Sequence, residues 1–598
     1  MAKRFRKKKA FDNASPTSHD SKVPFPSVWI ALLLAVVAFL AYWPSLKSGF
    51  VYDGRVEIIQ EGFITSLSNL PAVLSLKVLG MNLMLGPRPG QLLYLMLIAA
   101  VCGKEPFGYH LCSNLLHAAN VALLFVLLQR LIATEITGLT KSVFLKAQLA
   151  IVVVTLIFAL HPIAVESVAE VSYSSGLLVT FFTLLALLAA MAFRPDNFRI
   201  AMIMGSIGAF CTFASVTCKE SGIATALLLI VYWFVFRRKE AKLPWLLFLG
   251  SAMTVTVIFL AARFLLAPSN PDRVPLNYLG GSFSQVFLIQ PGLWVFMMGK
   301  LVWPMQFAAD YTPAIMFGPS PPVALVILIV VVLLQVLLAY KSRVGALGVA
   351  IYWLGLATVS NFVPLYRPVA DRFYYLPLAG MAVQLLALFL MVLKSNRGFW
   401  MAVVPCMGVI LPLTFLTVTR ENVFTDELSL WTDILKVNPL SSLAHYNLGA
   451  YLTQKGHLDE ALIQYQKALE IRPENAEAHY NIGTIFSKKG RIDEAMSQYQ
   501  QALEINPRQA DAHNNLGNIL SKKGQVDEAI SHYQKALEIN PDMSEAHNGL
   551  GAAFFQKEQM DEAVVQFQEA LRLKPDDNEA QYNLAKVKAA ILQRSPAK

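Results

Sequence analysis

Long apolar runs separated by short basic loops fill the chain up to about residue 420, and a polar, charge-mixed pattern follows. A helix needs about 20 apolar residues to cross the hydrocarbon core of a bilayer. The pattern therefore predicts eleven membrane spans, at about 27–46, 108–133, 147–163, 174–193, 198–217, 221–236, 243–266, 320–340, 344–361, 373–393 and 399–419. Residues 285–304 are also apolar, but we predict a re-entrant or surface helix there, because a twelfth span would reverse the orientation of every later loop.

Basic residues give this arrangement its orientation, since Lys and Arg concentrate on the cytoplasmic side of membrane proteins. Seven of them lie in the tail that precedes the first span, residues 1–26, and six of these seven stand within residues 3–9. Every predicted inner loop is basic as well, with Lys141, Lys146, Arg194, Arg199, Arg237, Arg238, Lys239, Lys242, Lys341, Arg343, Lys394 and Arg397. We therefore expect a cytoplasmic amino terminus, a membrane domain over 27–420, and a carboxyl-terminal domain on the periplasmic, extracytoplasmic or lumenal side.

The carboxyl-terminal domain, 421–598, repeats every 34 residues, as Pro439, Pro473, Pro507, Pro541 and Pro575 show. This period matches the tetratricopeptide repeat, in which paired antiparallel helices stack into a solenoid with a concave binding surface. Full repeats fit 442–577, a partial leading repeat fits 424–441, and a capping helix fits 578–593. In the fourth repeat Glu558 replaces the turn glycine, which we expect to distort that turn slightly. The fold class is thus all-α: a membrane helix bundle followed by an α-solenoid.

Composition narrows the function classes. The net charge of +10 is accounted for by the basic tail and loops, so we expect no nucleic-acid partner. The five cysteines all precede residue 420 and lack zinc-site spacing. Walker A, G-x-G-x-x-G and H-E-x-x-H motifs are missing from the sequence, so no cofactor is evident, although a divalent metal stays open.

The predicted outer side collects a set of ionisable residues. Ionisable groups at membrane depth are costly and usually functional. The set comprises Asp53, Arg55, Glu57, Arg88, His161, Glu166, Glu170, Lys219, Glu220, Arg367, Asp371 and Arg372. Carboxylates and cations together at a bilayer surface suit a lipid-borne phosphate as ligand.

Each of these residues also has a purely structural interpretation. Asp53-Gly54 is a common turn pair. Glu166 and Glu170 fit either paired acids or a polar helix start. Lys219 and Glu220 fit either donor binding or ordinary ion pairs, and Arg372 fits interfacial snorkelling.

A second polar group lies on one face of the second predicted span, since His110, Asn114 and His117 are spaced four and three residues apart. Interhelical hydrogen bonding is the simpler explanation, with a metal site as the alternative.

Several short motifs follow one another in an order that resembles a known family. They are Tyr52-Asp53, Arg88-Pro89, Gly108-Tyr109-His110, Asn114-Leu115-Leu116-His117, His161-Pro162 with Glu166, Lys219-Glu220-Ser221 and Arg372-Phe373-Tyr374-Tyr375-Leu376-Pro377. With the repeats, they make nearly the whole chain similar to the transmembrane and tetratricopeptide-repeat O-mannosyltransferases, within the GT-C glycosyltransferases.

The resemblance implies an inverting transfer of a mannose-like sugar from a polyprenyl-phosphate donor to a protein hydroxyl held by the repeats. It implies Asp53 as general base, and Arg372, Lys219 and Arg88 as ligands of the donor phosphate. Glu166 and Glu57 are candidates for a second acid.

The chain departs from the family's pattern at two places. Gly54 stands where the family commonly has a second acid. Glu170 stands where an aromatic residue is usual, and Tyr173-Ser174-Ser175-Gly176 follows where an Arg and an Asp are usual.

Two other function classes fit parts of the sequence. A non-catalytic, membrane-anchored repeat scaffold for envelope or secretory-pathway assembly fits the repeats. A transporter of lipid-linked sugars fits the spans, but no polar pathway continues to the predicted cytoplasmic face.

Overall fold

The computed structural model describes residues 26–55, 58, 62–81, 83, 86, 88–135, 140–266, 282–305, 307, 311, 320–360 and 369–594. Throughout these ranges the regular structure is helical, which confirms the predicted fold class. A membrane-type helix bundle comes first in the chain, and an array of helix pairs follows it.

In the described ranges, fourteen longer helices build the bundle. They are α1 (Pro26–Ala41), α2 (Pro89–Cys102), α3 (Pro106–Glu135), α4 (Lys141–Ala159), α5 (Ser174–Ala192), α6 (Phe198–Cys218), α7 (Ile223–Tyr232), α8 (Lys242–Leu266), α9 (Phe283–Val302), α10 (Pro321–Lys341), α11 (Arg343–Ala357), α12 (Tyr375–Val392), α13 (Asn396–Gly408) and α14 (Ile410–Glu421). Short helical turns join them at Trp43–Lys47, Tyr52–Gly54, Leu67–Asn69, Leu70–Leu74, Lys77–Gly80, Pro162–Ala164, Val165–Ala169, Val171–Tyr173, Glu220–Gly222, Trp233–Arg237, Asp371–Tyr374 and Asn422–Phe424.

Ten helical stretches in the described ranges are long and apolar enough to cross a membrane, against the eleven predicted. Nine of them coincide with predicted spans, and the tenth is Ser284–Val302. Within the described residues, the other two predicted spans are shorter helices. The 16 residues of α1 and the 15 residues of α11 extend only about 24 and 22 Å at 1.5 Å per residue.

The basic loops gather at one end of the bundle. Arg237 donates a hydrogen bond to the Met191 carbonyl at 3.0 Å, which joins two of these loops. Ser342 bonds to Glu135 at 3.1 Å, and the Lys146 ammonium lies 5.6 Å from the Phe399 ring centroid. We call this the basic end, and we call the opposite end, which carries Gly49, His161, Lys219, Asp371 and Glu421, the site end.

Helix α9 is anchored at the site end. His161 Nε2 lies 3.0 Å from the Leu301 carbonyl oxygen, and Trp294 Nε1 donates to Ser360 Oγ at 3.0 Å. The preceding helix α8 also finishes at this end, because Arg263 pairs there with Glu220. The ends of α8 and α9 therefore lie at the same end of the bundle. Residues 267–281 lie outside the described residues, so a re-entrant or surface helix at 285–304 stays a prediction.

The array continues the chain from the site end. Its helices are α15 (Glu427–Val437), α16 (Ser442–Gln454), α17 (Leu458–Ile471), α18 (Ala476–Lys488), α19 (Ile492–Ile505), α20 (Ala510–Lys522), α21 (Val526–Ile539), α22 (Ser544–Gln556), α23 (Met560–Leu573) and α24 (Asn578–Arg594). Small residues are required where paired helices cross, since a Cβ at Gly483 would stand 2.8 Å from the Tyr499 ring.

The array is fastened to the first interhelical loop of the bundle. Gly49 N–H donates to the Thr425 carbonyl at 3.1 Å. The Arg55 guanidinium pairs with Glu427 at 2.6 Å and donates to Gln454 Oε1 at 2.6 Å. Residues close to Asp53 therefore touch the beginning of the repeats.

The fourth repeat keeps its turn in spite of Glu558, contrary to the expected distortion. Gly456, Gly490 and Gly524 have φ of +84°, +73° and +79°, and Glu558 has φ of +61°. A side chain in this left-handed region costs about 1–2 kcal/mol. The turn geometry is thus preserved at the expense of backbone strain.

We therefore expect Glu558→Gly to stabilise the fourth repeat by about 1 kcal/mol. Amide hydrogen exchange of α22 and α23 in the full-length protein should become slower by several-fold. Gly524→Glu is the matched control and should speed up exchange in α20 and α21. Unchanged exchange in both variants would show that the left-handed turn carries no strain.

Candidate functional site

The candidate site is built from short turns between the helices at the site end. Asp53 lies in the turn Tyr52–Gly54, and its Oδ2 accepts a hydrogen bond of 2.7 Å from the Tyr173 hydroxyl. Burial raises the pKa of Asp53 above its ordinary value. The Tyr173 hydrogen bond and the Arg372 charge oppose that rise in pKa, and the Glu166 charge adds to it. A carboxylate with a raised pKa is a better proton acceptor.

Arg372 is held by Glu166 and Tyr173. Its guanidinium pairs with Glu166, which is fully buried, and its backbone N–H donates to Glu166 Oε2 at 2.9 Å. Its guanidinium carbon also lies 3.9 Å from the Tyr173 ring centroid, a cation–π stack. Tyr173 therefore joins Arg372 to Asp53, with one contact through its ring and one through its hydroxyl.

Lys219 is the cation with the fewest contacts in the site. Its ammonium lies 5.2 Å from the Phe373 ring centroid, and no carboxylate in the described part of the chain makes an ion pair with it. Burial lowers the pKa of Lys219 to about 7, with further lowering from Arg88 and Arg372 and opposition from Glu220 and Glu166. Lys219 is thus positioned to accept an anion.

Arg88 lies beside Lys219 but has a counterion. It pairs with Glu220 at 3.2 Å, and Glu220 also pairs with Arg263, so two guanidinium groups share one carboxylate. Arg88 directly precedes α2, and the start of α2 packs closely against the end of α6. A Cβ at Gly90, in the first turn of α2, would stand 2.6 Å from Thr217 Oγ1.

Five of the six predicted site residues are brought into one region. Asp53, Arg372, Lys219 and Arg88 follow one another through the contacts and charges given above, and Glu166 lies behind Arg372. Glu57 lies outside the described residues, as does Arg367.

The two glutamates of the segment between α4 and α5 are separated in the structure and do not form a pair of acids. Glu166 contacts Arg372, whereas Glu170 Oε1 accepts the Gly54 N–H at 3.1 Å. Glu220 contacts the two arginines and makes no ion pair with Lys219.

The polar face of α3 forms interhelical hydrogen bonds. Asn114 donates to the Tyr42 carbonyl at 2.7 Å, His117 Nδ1 lies 2.6 Å from the Tyr375 hydroxyl, and His110 Nε2 lies 3.3 Å from the Gly49 carbonyl. Among the described residues, no three His, Cys, Asp or Glu side chains are grouped to hold a metal ion. His161 is buried and bonded to Leu301, and burial lowers its pKa to about 4.

Comparisons with known proteins agree with both halves. A family model described as TPR repeat matches residues 451–490, 483–524 and 551–590. A second model, described as tetratricopeptide repeat, matches residues 510–543. A protein O-mannosyl-transferase of Caenorhabditis elegans, F38B6.6, is 23% identical over 453 residues, which are 73% of this chain and 62% of that protein. Protein O-mannosyl-transferase TMTC4 of Homo sapiens is 23% identical over 493 residues, 74% of this chain and 66% of that protein.

The chain is a distant homologue of the TMTC protein O-mannosyl-transferases. It spans a little under two thirds of the length of these relatives. Among solved structures, YrrB, titled a TPR protein with an unusual peptide-binding site, is 24% identical over 33% of this chain and 97% of its own, with a TM-score of 0.24.

Gly54 and Glu170, two positions that depart from the expected family pattern, contact each other. Glu170 lies against Gly54, and Tyr173, in the same turn, bonds to Asp53. Gly54 and Glu170 stand 116 residues apart in the sequence, and Tyr173 had no predicted role. Because the acid expected at position 54 is replaced by glycine while an acid stands at position 170, the sequence could have suggested that the two residues are in contact. Arg263, which pairs with Glu220, was also absent from the predicted set of outer ionisable residues. Its position in the last turn of a predicted span could have indicated that it lies at the site end.

Proposed function

We propose that the protein is a membrane glycosyltransferase that moves a mannose-like sugar from a polyprenyl-phosphate donor to a protein hydroxyl on the non-cytoplasmic side. The names of its distant homologues, protein O-mannosyl-transferases, support sugar transfer. The observation that carries the proposal is Lys219, a half-buried cation that has no carboxylate partner among the described residues and lies, like Arg372, 5.2 Å from the Phe373 ring centroid.

The donor phosphate would bind to Lys219 and Arg372, with Arg88 nearby. Charge-assisted hydrogen bonds from ammonium and guanidinium groups are the strong contacts available to a phosphate. Glu166 occupies one side of the Arg372 guanidinium and fixes its plane, which leaves other N–H groups for a ligand. We assign Glu166 this orienting role rather than that of a second acid.

The reaction would be a single displacement at the anomeric carbon. The acceptor oxygen forms the new bond to that carbon, and the bond to the phosphate oxygen breaks with both electrons staying on the phosphate. Asp53 takes the hydroxyl proton, a contribution of about 10²–10⁴ in rate for general bases. The cations stabilise the second negative charge that develops on the leaving polyprenyl phosphate.

The repeats would hold the protein acceptor. They begin at the same end of the bundle as Asp53 and are joined to its loop through Arg55 and Glu427. Binding a protein partner on this array would raise the effective concentration of its hydroxyl groups at the site.

The direct test is transfer of radiolabelled mannose from polyprenyl-phosphate mannose to protein in membranes that contain wild type, Asp53→Asn or Asp196→Asn. Asp196 is exposed in a loop at the basic end and serves as the matched control. We expect Asp53→Asn to reduce transfer by at least about 10²-fold at equal expression, with the control unchanged. Absence of transfer by the wild type with any polyprenyl-phosphate sugar would favour the scaffold function.

Donor binding should depend on pH through Lys219. Its pKa near 7 means that the ammonium is present below pH 7 and is lost as the pH rises. Affinity for polyprenyl-phosphate mannose, a phosphodiester that does not titrate in this range, should fall above pH 7 by up to about tenfold per unit. Lys219→Arg should bind equally from pH 6 to 9, since guanidinium stays protonated.

This binding is measured on protein in nanodiscs with labelled donor at several pH values. A wild-type affinity that does not change with pH, or the same decline in Lys219→Arg, would contradict the role of Lys219.

A further inference from the structure

The backbone beside Asp53 is held by a buried carboxylate. Glu170, 2% exposed, accepts the Gly54 N–H at 3.1 Å and the Ser172 N–H at 3.3 Å through the same oxygen, Oε1. The Gly54 N–H belongs to the peptide group that follows Asp53 directly. The hydrogen bond to Glu170 therefore fixes the orientation of this peptide group, and with it the position of the Asp53 Cα–Cβ bond.

The Asp53 carboxylate itself is held from the same turn. The Tyr173 hydroxyl donates to Oδ2 at 2.7 Å, while the Tyr173 ring lies beneath the Arg372 guanidinium. The segment 170–173 therefore contacts both the backbone and the side chain of the Asp53 turn.

Gly54 fits this arrangement because it has no side chain. A Cβ at residue 54 would stand 2.8 Å from Glu170 Oε1 and 3.4 Å from Ser172 Oγ. The first of these distances is too short for a real Cβ contact, and the oxygen is held by two backbone N–H groups. Glycine at 54 and glutamate at 170 thus depend on each other.

We propose that Glu170 and Tyr173 are positioning residues for Asp53, with Glu170 fixing the backbone of its turn and Tyr173 fixing the orientation of its carboxylate. This inference rests on the proposed function, in which Asp53 is the general base. Neither residue is expected to touch the sugar or the phosphate.

Substitutions of Tyr173 and Glu170 should have different effects on the kinetics of transfer. A hydrogen bond to an ionised carboxylate favours the ionised form, so its loss in Tyr173→Phe should raise the pKa of Asp53 further. The acid limb of the rate profile should then move to higher pH, because the base is protonated over a wider range. Phenylalanine keeps the stack with Arg372, so the KM for donor should stay within twofold.

Glu170→Ala should lower kcat at least tenfold without a change in KM or in the position of the acid limb. Glu170→Gln keeps an acceptor oxygen for the two N–H groups and should restore most of the loss. Gly54→Ala should resemble Glu170→Ala, because its methyl group displaces the carboxylate. The double variant Gly54→Ala/Glu170→Ala should be no worse than either single variant, since both remove the same support.

The experiment measures transfer from polyprenyl-phosphate mannose against pH for the full-length variants in nanodiscs. Tyr232→Phe is the control, since Tyr232 is a buried tyrosine at the end of α7 whose ring stacks on Phe236, 5.1 Å between centroids, next to the basic end. It should leave the profile unchanged.

The outcomes separate the two proposals. The proposed function stands if the wild type is active and Asp53→Asn is not. The positioning role is nevertheless wrong if Tyr173→Phe keeps the wild-type acid limb and Glu170→Ala keeps the wild-type kcat. A wild type without transfer activity overturns both. Should Glu170→Ala fail to fold, Tyr173→Phe and Glu170→Gln still decide.

Discussion

The contact of Arg372 with Glu166 and Tyr173 is the interaction on which the site depends. Glu166 is fully buried, and removing its partner would leave an uncompensated carboxylate at a cost of about 3–5 kcal/mol. The stack on the Arg372 guanidinium fixes the Tyr173 ring, and the Tyr173 hydroxyl in turn reaches Asp53. One ion pair between two interhelical turns therefore determines where the proposed general base lies relative to the proposed phosphate site.

A second constraint is that these turns and the repeat array share one end of the bundle. The helices alternate in direction, so the basic loops collect at the opposite end, and the residues that could bind an anion are grouped around turns of three to five residues. Gly49 and Arg55 join the first of these segments to the array. A protein bound to the repeats would be kept beside the bundle surface where a lipid-borne donor would arrive.

Much of this architecture could be predicted from the sequence because it is periodic. The 34-residue step determines the repeats, and apolar length locates nine of the ten span-length helices. The ion pair between Glu166 and Arg372 could not be predicted, since the two residues are 206 residues apart in the sequence. Hydropathy also cannot show that α1 and α11 end early, or that Glu558 adopts a glycine-like turn. The role of Gly54 became visible only with the position of Glu170.

The most direct test of the account is a cryo-EM structure of the full-length protein in nanodiscs with polyprenyl-phosphate mannose bound to the Asp53→Asn variant. We predict phosphate oxygens within hydrogen-bond distance, about 2.7–3.2 Å, of Lys219 Nζ and of the Arg372 guanidinium, with the anomeric carbon directed toward residue 53. Density for the phosphate at the basic end, or at the site end without contact to Lys219 or Arg372, would contradict the account.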